Sequence, residues 1–393
     1  MAAFLKRSYN TGDSNSTGKN NRRSRIARTY RRIKLKLHIP QFVPLSGTVG
    51  LALALGLLAG HSGTALGQGC VAAHSTQHTM NELVSDADDH APGGLSIHNL
   101  TLNIGYRVFN SNKYFIGTKE IDRPNAVRNH QNIFDVGVEY RLTPRWSLVA
   151  DVPVFNGTRN QIYPPQGVFQ VSGVGDIVIG AQSWIFRPPT ENNGNIAVSV
   201  SLKLPTGIDN ATGSAFYKGQ TIKATADQSM QPGDGGWGFL VATQGYKSFW
   251  HGSYGYLAGQ YLVNPMNTSS VRTFRSQPGQ DRMSIPDQYL WRAGLSQSVP
   301  HFRRLAFSLG IRDEGVPAHD LIGGNEGFRR PGYIVSLDPG LLLNYKRDTL
   351  SVNGPWALAR NREPSAVEIA NGTKNGDAFF ADYTIILGIS HHF

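Results

Sequence analysis

The chain has 393 residues, 10% of them aromatic, with 44 glycines, one cysteine and a formal charge of +11. The charge is concentrated at one end: residues 1–38 hold eleven Lys and Arg against Asp13 alone, and residues 39–67 hold no charged residue, so residues 68–393 are close to neutral. Nucleic-acid binding needs its positive footprint on the folded domain, so this distribution argues against that class, and the lone Cys70 rules out an internal disulfide framework.

In chain order, the basic stretch leads into an apolar run, Val49–Ala59, and then into Ala65-Leu66-Gly67, a small-x-small cleavage site. The run is too short for comfortable membrane crossing, which takes about 20 apolar residues. The basic, apolar and small-residue regions in that order predict a signal peptide cleaved near Gly67 rather than a buried helix of a soluble domain. Arg31-Arg32 invites comparison with a twin-arginine signal, but that route carries folded proteins, and a barrel crosses the inner membrane unfolded. A lipidated Cys70 would want an aliphatic residue where Gly67 stands, and Cys70, His74 and His78 are too scattered to read as a metal site. Residues 1–67 are therefore expected to be a basic leader with its signal peptide, 68–93 a flexible N-terminal segment, and 94–393 the folded domain. A mature chain almost free of cysteine suits an oxidising periplasm.

From residue 94 the apolar pattern repeats every second residue, in windows of about ten residues, the length with which a tilted strand crosses a bilayer. Leu100, Leu102, Ile104, Tyr106 and Val108 alternate with Thr101, Asn103, Gly105 and Arg107. Phe134, Val136, Val138, Tyr140 and Leu142 alternate with Asp135, Gly137, Glu139 and Arg141, three charges that would be ruinous inside a soluble β-sandwich, the alternative all-β architecture. After the turn 143–145 a third window runs over 146–154. Further strands are predicted near 174–186, 195–206, 236–248, 253–263, 288–299, 304–313, 333–345, 349–361 and 379–393. Short links alternate with long ones at 109–131, 156–173, 207–235, 264–287, 314–332 and 362–378. Tight periplasmic turns, extended outer loops and an even strand number mark outer-membrane barrels. The expected fold is thus all-β: a transmembrane antiparallel up-and-down β-barrel of about twelve strands, with no helix of any length after residue 94.

Aromatic residues at the window ends (Tyr106, Tyr140, Trp146, Trp184, Trp237, Tyr246, Trp250, Trp291, Tyr333, Tyr345, Trp356 and Tyr383) are expected to form interfacial girdles. The last window, from Tyr383 through Ile385, Leu387 and Ile389, alternates to the terminal Phe393, with His391 departing from the apolar series. Tyr383 and Phe393 are read as the signal for the barrel-assembly machinery.

With the apolar faces turned to outer-membrane lipid, the lumen receives Arg107, Asp135, Glu139, Arg141, Asp151, Asp176, Lys203, Arg292, Arg312, Asp338 and Asp382. Positive and negative groups nearly cancel, so the lumen is not expected to select by sign. Two readings stay open: the charges pair across a narrow lumen and fill it, or Arg292, Arg312 and Asp338 with Glu139 and Arg141 form a constriction in a solute path. An enzyme is the rival class. His251-Gly252-Ser253 lies on a short turn, where adjacency does not make a nucleophile and base meet, and no catalytic motif matches. His391 and His392 point to opposite faces of a strand and cannot share a metal. No catalytic residue, metal or cofactor is expected.

Four segments carry a family resemblance: Ser172-Gly-Val-Gly-Asp-Ile-Val-Ile-Gly180, Leu202-Lys-Leu-Pro-Thr-Gly207, Val152-Pro-Val-Phe-Asn156 and Asp338-Pro-Gly340. Together they resemble the bacterial outer-membrane proteins known as phenol-degradation (MetA-pathway) transporters, over most of residues 95–393. The resemblance implies an outer-membrane barrel near aromatic-compound metabolism and brings no catalytic residues. The expected function is a channel or transporter for small aromatic or hydrophobic molecules, passive or loop-gated. A structural or adhesive barrel with a sealed lumen is the alternative.

Overall fold

The computed structural model describes residues 96–123, 127–186, 193–250 and 252–393. The predicted leader, signal peptide and N-terminal segment, with Cys70, His74 and His78, lie outside the described residues, as does His251.

Twelve strands form the wall: β1 (Leu100–Ile116), β2 (Val127–Arg141), β3 (Trp146–Gln161), β4 in two segments (Gln166–Val174 and Ile177–Trp184), β5 (Gly194–Leu204) and β6 (Gly238–Trp250), then β7 (Ser253–Val263), β8 (Gln288–Val299), β9 (Phe302–Val316), β10 (Gly332–Tyr345), β11 in two segments (Asp348–Asn353 and Trp356–Arg362) and β12 (Asp377–His392). Each strand pairs antiparallel with the next, and β12 returns to β1 with Thr101 opposite His392 and Ile116 opposite Asp377. This is the expected up-and-down barrel, closed so that no sheet edge is left for lipid to meet.

The membrane-level alternation follows the sequence. Phe134, Val136 and Val138 on β2, and Ile385, Leu387 and Ile389 on β12, are exposed on the outside, whereas Asp135, Glu139 and Ser390 are buried inside. Period-two alternation is what puts one set in lipid and the other in the lumen.

Four strands run well past the predicted windows. Segments read as loop at 109–131 and 156–173 are mostly strand, because β1 continues to Ile116 and β2 begins at Val127, while β3 continues to Gln161 and β4 begins at Gln166. There the alternation inverts. Outward positions become Asn110, Arg128, His130, Asn156, Asn160 and Gln170, and inward ones become Phe109, Ile133, Phe155, Phe169 and Val171. Polar-out, apolar-in is the pattern of a sheet facing water on one side, so these strands have left the hydrocarbon. A search for lipid-facing alternation stops at that boundary, but the backbone ladder does not.

Smaller elements sit in the remaining outer loops. The 207–235 link contains a β-ribbon, Thr212–Tyr217 with Gln220–Thr225, followed by a 3-10 turn, Gln228–Met230. A two-stranded pair, Thr268–Arg272 with Arg282–Ser284, lies in the 264–287 link. Contrary to the expectation of no helix, α1 (Ala366–Ala370) occupies the 362–378 link, where Ser365 and Glu368 form a capping box. Trp184 and Tyr246 are a second correction: they stack edge-on at 6.2 Å, with Trp184 buried, so that pair does not belong to an outer girdle. Trp146, Trp250 and Tyr345 are exposed at strand ends, whereas Trp356 and Tyr383 are exposed at paired positions in the middle of β11 and β12.

The two glycine-bearing motifs meet at the break in β4. Gly175 donates its N–H to the Pro153 carbonyl at 2.7 Å, turning Asp176 inward, and Thr206 Oγ1 accepts from Ile177 N–H at 2.9 Å. A Cβ on Gly207 would stand 2.7 Å from the Gly175 carbonyl carbon and 2.8 Å from Gly233 Cα. Only backbone fits there. Gly207→Ala is expected to cost about 1–3 kcal/mol through overpacking. The readout is a lower temperature for loss of the folded, heat-modifiable gel band. Gly354→Ala, where no atom lies within 4 Å of the added Cβ, should leave that temperature unchanged.

Candidate functional site

The membrane-level lumen is charged and largely paired. Arg292 on β8 meets Asp338 on β10 at 2.9 Å and lies over the Tyr256 ring of β7 at 5.4 Å. Asp338 is fully buried and also accepts from Asn353 Nδ2 at 3.1 Å. Arg312 on β9 turns to Glu314 two residues on, through Nε at 3.1 Å and Nη2 at 2.8 Å. Arg107, Asp135, Glu139 and Asp151 are all buried on the inner face. Lys203 pairs with Asp234 and lies 3.7 Å from Asp176.

The structure therefore joins some predicted lumen residues and separates others. It brings Arg292 to Asp338 and Lys203 to Asp176. The five-residue constriction expected at Arg292, Arg312, Asp338, Glu139 and Arg141 does not form as one bonded cluster. Arg312 is taken by Glu314, and Arg141 sits half-buried at the end of β2, opposite Ser147 beside the short turn. Asp382 is half-exposed and pairs with Arg360 at 2.7 Å. Glu314 escaped the sequence reading because the predicted strand ended at residue 313, although the period of two through Arg312 marks it as inward. Ser253, the one nucleophile weighed for an enzyme, bonds Gln297 on the adjacent strand.

Above this layer the lumen turns apolar. Phe109, Ile133, Phe155, Phe169 and Val171 from β1–β4 pack with Ala215, Ala224, Ala226 and Met230 of the 207–235 loop, and Met230 is fully buried. The loop is thus folded into the mouth of the barrel. Polar tethers hold it: Gln131 Nε2 donates to the Ser229 carbonyl at 3.0 Å, and Arg330 grips Asp227 through two 2.6 Å bonds. Arg159 on β3 adds a contact to Asp227 at 3.6 Å. Burial alone would push the Asp227 carboxyl up, but Arg159 and Arg330 outweigh it and hold the group well below its ordinary value of 3.8. Nothing local in the sequence marks Asp227, because its partners come from β3 and the 317–331 loop.

Beside the loop lies a cavity of about 80 Å³. Its polar side carries Asp176, Lys203 and Asp234, and its apolar side carries Leu240, Leu262 and Met283. Asp176 accepts from the N–H groups of Gly207 at 2.9 Å and Asp234 at 3.1 Å. The segments Ser172–Gly180 and Leu202–Gly207, far apart in the chain, thus build one corner of this cavity.

A closed wall with a charged lumen, an apolar mouth and inward-folded loops defines the class as an outer-membrane-type β-barrel. No protein-family profile matches the chain, and no curated protein sequence does. Among solved structures it is similar to an outer-membrane channel from Pseudomonas putida F1, at 14% identity and a TM-score of 0.51, over 78% of this chain and 99% of that one. Two others are the β domain of the Bordetella autotransporter BrkA, at 13% identity and 0.42 over 75% of this chain and all of that one, and the P. putida toluene transporter TodX, at 8% and 0.37 over 75% and 90%. At these identities the first likeness bears on the fold alone.

Breaking the central pair gives a test of the lumen. Asp338→Ala leaves the Arg292 guanidinium buried without its carboxylate, and the expected loss is about 3–5 kcal/mol. The double replacement Arg292→Met with Asp338→Leu is expected to recover most of it. Urea titration of the protein folded into lipid vesicles reads both values.

Proposed function

We propose that this protein is an outer-membrane channel for small hydrophobic molecules, closed in the present conformation by the 207–235 loop. The observation that carries the proposal is the apolar inner face of the mouth: Phe109, Ile133, Phe155, Phe169 and Val171 line the inside of strands that have already left the hydrocarbon. An apolar lining in that position serves a solute that prefers it to water, and burial of apolar surface supplies the attraction. Met230 and the alanines of the loop now occupy that lining, as a displaceable stand-in for the solute. Lumen positions Arg107, Glu139, Asp151, Arg292, Arg312 and Asp338 are proposed to keep the lower path narrow and hydrated.

Asp227 is the latch in this reading. Its carboxyl is depressed below the ordinary range, so the stabilisation it gives is fully present above that range and is lost only as pH falls through the lower folded value. Acidification from pH 7 to 5 is therefore expected to leave the latch shut. Asp227→Ala should raise the open fraction in single-channel recordings at neutral pH several-fold. Unchanged recordings would detach the latch from gating.

The burial of the lumen ion pairs, Arg292 with Asp338 and Arg312 with Glu314, favours a second reading, a structural barrel with a sealed lumen. A trace that stays closed in both wild type and Asp227→Ala, with every solute tried, would establish it.

Tyr383 and Phe393 are proposed as the assembly signal. Phe393 donates its N–H to the Leu100 carbonyl at 3.1 Å, at the seam where β12 meets β1. Removing Phe393 is expected to lower the outer-membrane level of the folded protein several-fold, as read by immunoblot of unboiled membranes.

A further inference from the structure

Two buried amides on the cavity wall have hydrogen bonds to spare. Gln260 lies on the inner face of β7 and Gln288 on that of β8, and the two residues are only 9% and 7% exposed. The register sets Gln260 opposite Leu290 and Leu262 opposite Gln288. The amides therefore occupy one diagonal of the wall and the leucines the other, with diagonal neighbours about 7 Å apart. Both amides border the cavity beside the 207–235 loop. Neither side-chain amide is hydrogen-bonded to another described residue, and both open on the cavity. Each carries two donors and an acceptor, and buried polar groups are nearly always satisfied.

The surrounding chemistry narrows what could satisfy them. Leu240, Leu262, Met283 and Pro286 line the same cavity, which suits an apolar body. Among the charges lining the cavity, Lys203 is engaged with Asp176 and Asp234, Asp176 with the N–H groups of Gly207 and Asp234, and Asp234 with that of Gly236, while Asp209 adds a third carboxylate. An anionic head would meet those carboxylates without an uncommitted cation to offset them. A bare hydrocarbon would strip water from the two amides and return nothing.

We infer that the cavity is a binding subsite for an uncharged amphiphile, a small apolar body bearing a hydroxyl or carboxamide head that one glutamine donates to and the other accepts from. The inference rests on the channel reading and specifies its solute class. It makes Gln260 and Gln288 the residues that separate polar-headed solutes from hydrocarbons, in the way a site built to hydrogen-bond a hydroxyl rejects the analogue lacking it.

The test uses the full chain in lipid nanodiscs, titrated calorimetrically with toluene, benzyl alcohol and benzylammonium, with empty nanodiscs subtracted. Benzyl alcohol is expected to bind at least tenfold more tightly than either of the others. In the Gln260→Leu/Gln288→Leu double variant the preference over toluene should fall to within threefold, with toluene gaining. The single Gln288→Leu variant, checked for its heat-modifiable band, should fall between. Toluene or benzylammonium binding as tightly as benzyl alcohol to the wild type overturns the inference, as does a preference that survives in both variants. Single-channel current on the same preparation judges the channel reading separately. Absence of current in wild type and Asp227→Ala would sink that reading, while the solute ranking would still decide the subsite.

Discussion

A closed wall has no edge, so every side chain on it faces either outward or into the lumen, and the register between neighbouring strands decides which. The pairing of β12 with β1 makes that division complete. Once it is complete, the period of two carries nearly all the remaining information: it puts Phe134, Val136 and Val138 outside and Asp135 and Glu139 inside on a single strand. A slip of one residue at any seam would exchange the two sets and place carboxylates in hydrocarbon, at a cost of several kcal/mol for each. The lumen is charged because the exterior cannot be.

That filling is layered. Ion pairs fill the lumen behind the lipid-facing wall, and in the mouth the 207–235 loop packs an apolar cluster on β1–β4 beside a mixed cavity. If the protein is the proposed channel, a solute entering from outside would exchange apolar contacts with the loop before it reached the paired charges. The β4 break organises the middle layer. Backbone contact among Gly175, Gly207 and Gly233 turns Asp176 into the lumen and brings Lys203 and Asp234 to it, so glycines that touch no solute determine where the polar corner stands.

The sequence made the wall legible because lipid imposes a strict pattern. All twelve strands could be read from alternation, along with the inward direction of Arg107, Asp135, Glu139, Arg292 and Asp338. Where the pattern inverts, the reading stopped: Phe109 and Phe169 fall in segments read as long links, and Ile133 and Phe155 sit at their edges, until the strands are seen to continue past the membrane. The contacts of Asp227 with Arg159 and Arg330 join residues separated by many strands, and nothing local announces them. Gln260 and Gln288 were missed for a different reason. A neutral amide on an inward position is unremarkable in a list of side chains, and it becomes informative only when its neighbours are shown to leave it without a partner.

The inversion of alternation in β1–β4 also acts as a depth gauge. Tyr106 donates to Asn132 at 2.6 Å, and Asn156 donates to Ser172 at 2.7 Å, along the line where outward residues change from apolar to polar. Sinking the barrel by one pleat would carry this belt of amides into hydrocarbon, and raising it would lift Val108, Phe134 and Val154 into water. Both displacements are opposed, so the chain carries in its own side chains the height at which it rides in the bilayer, independently of its loops.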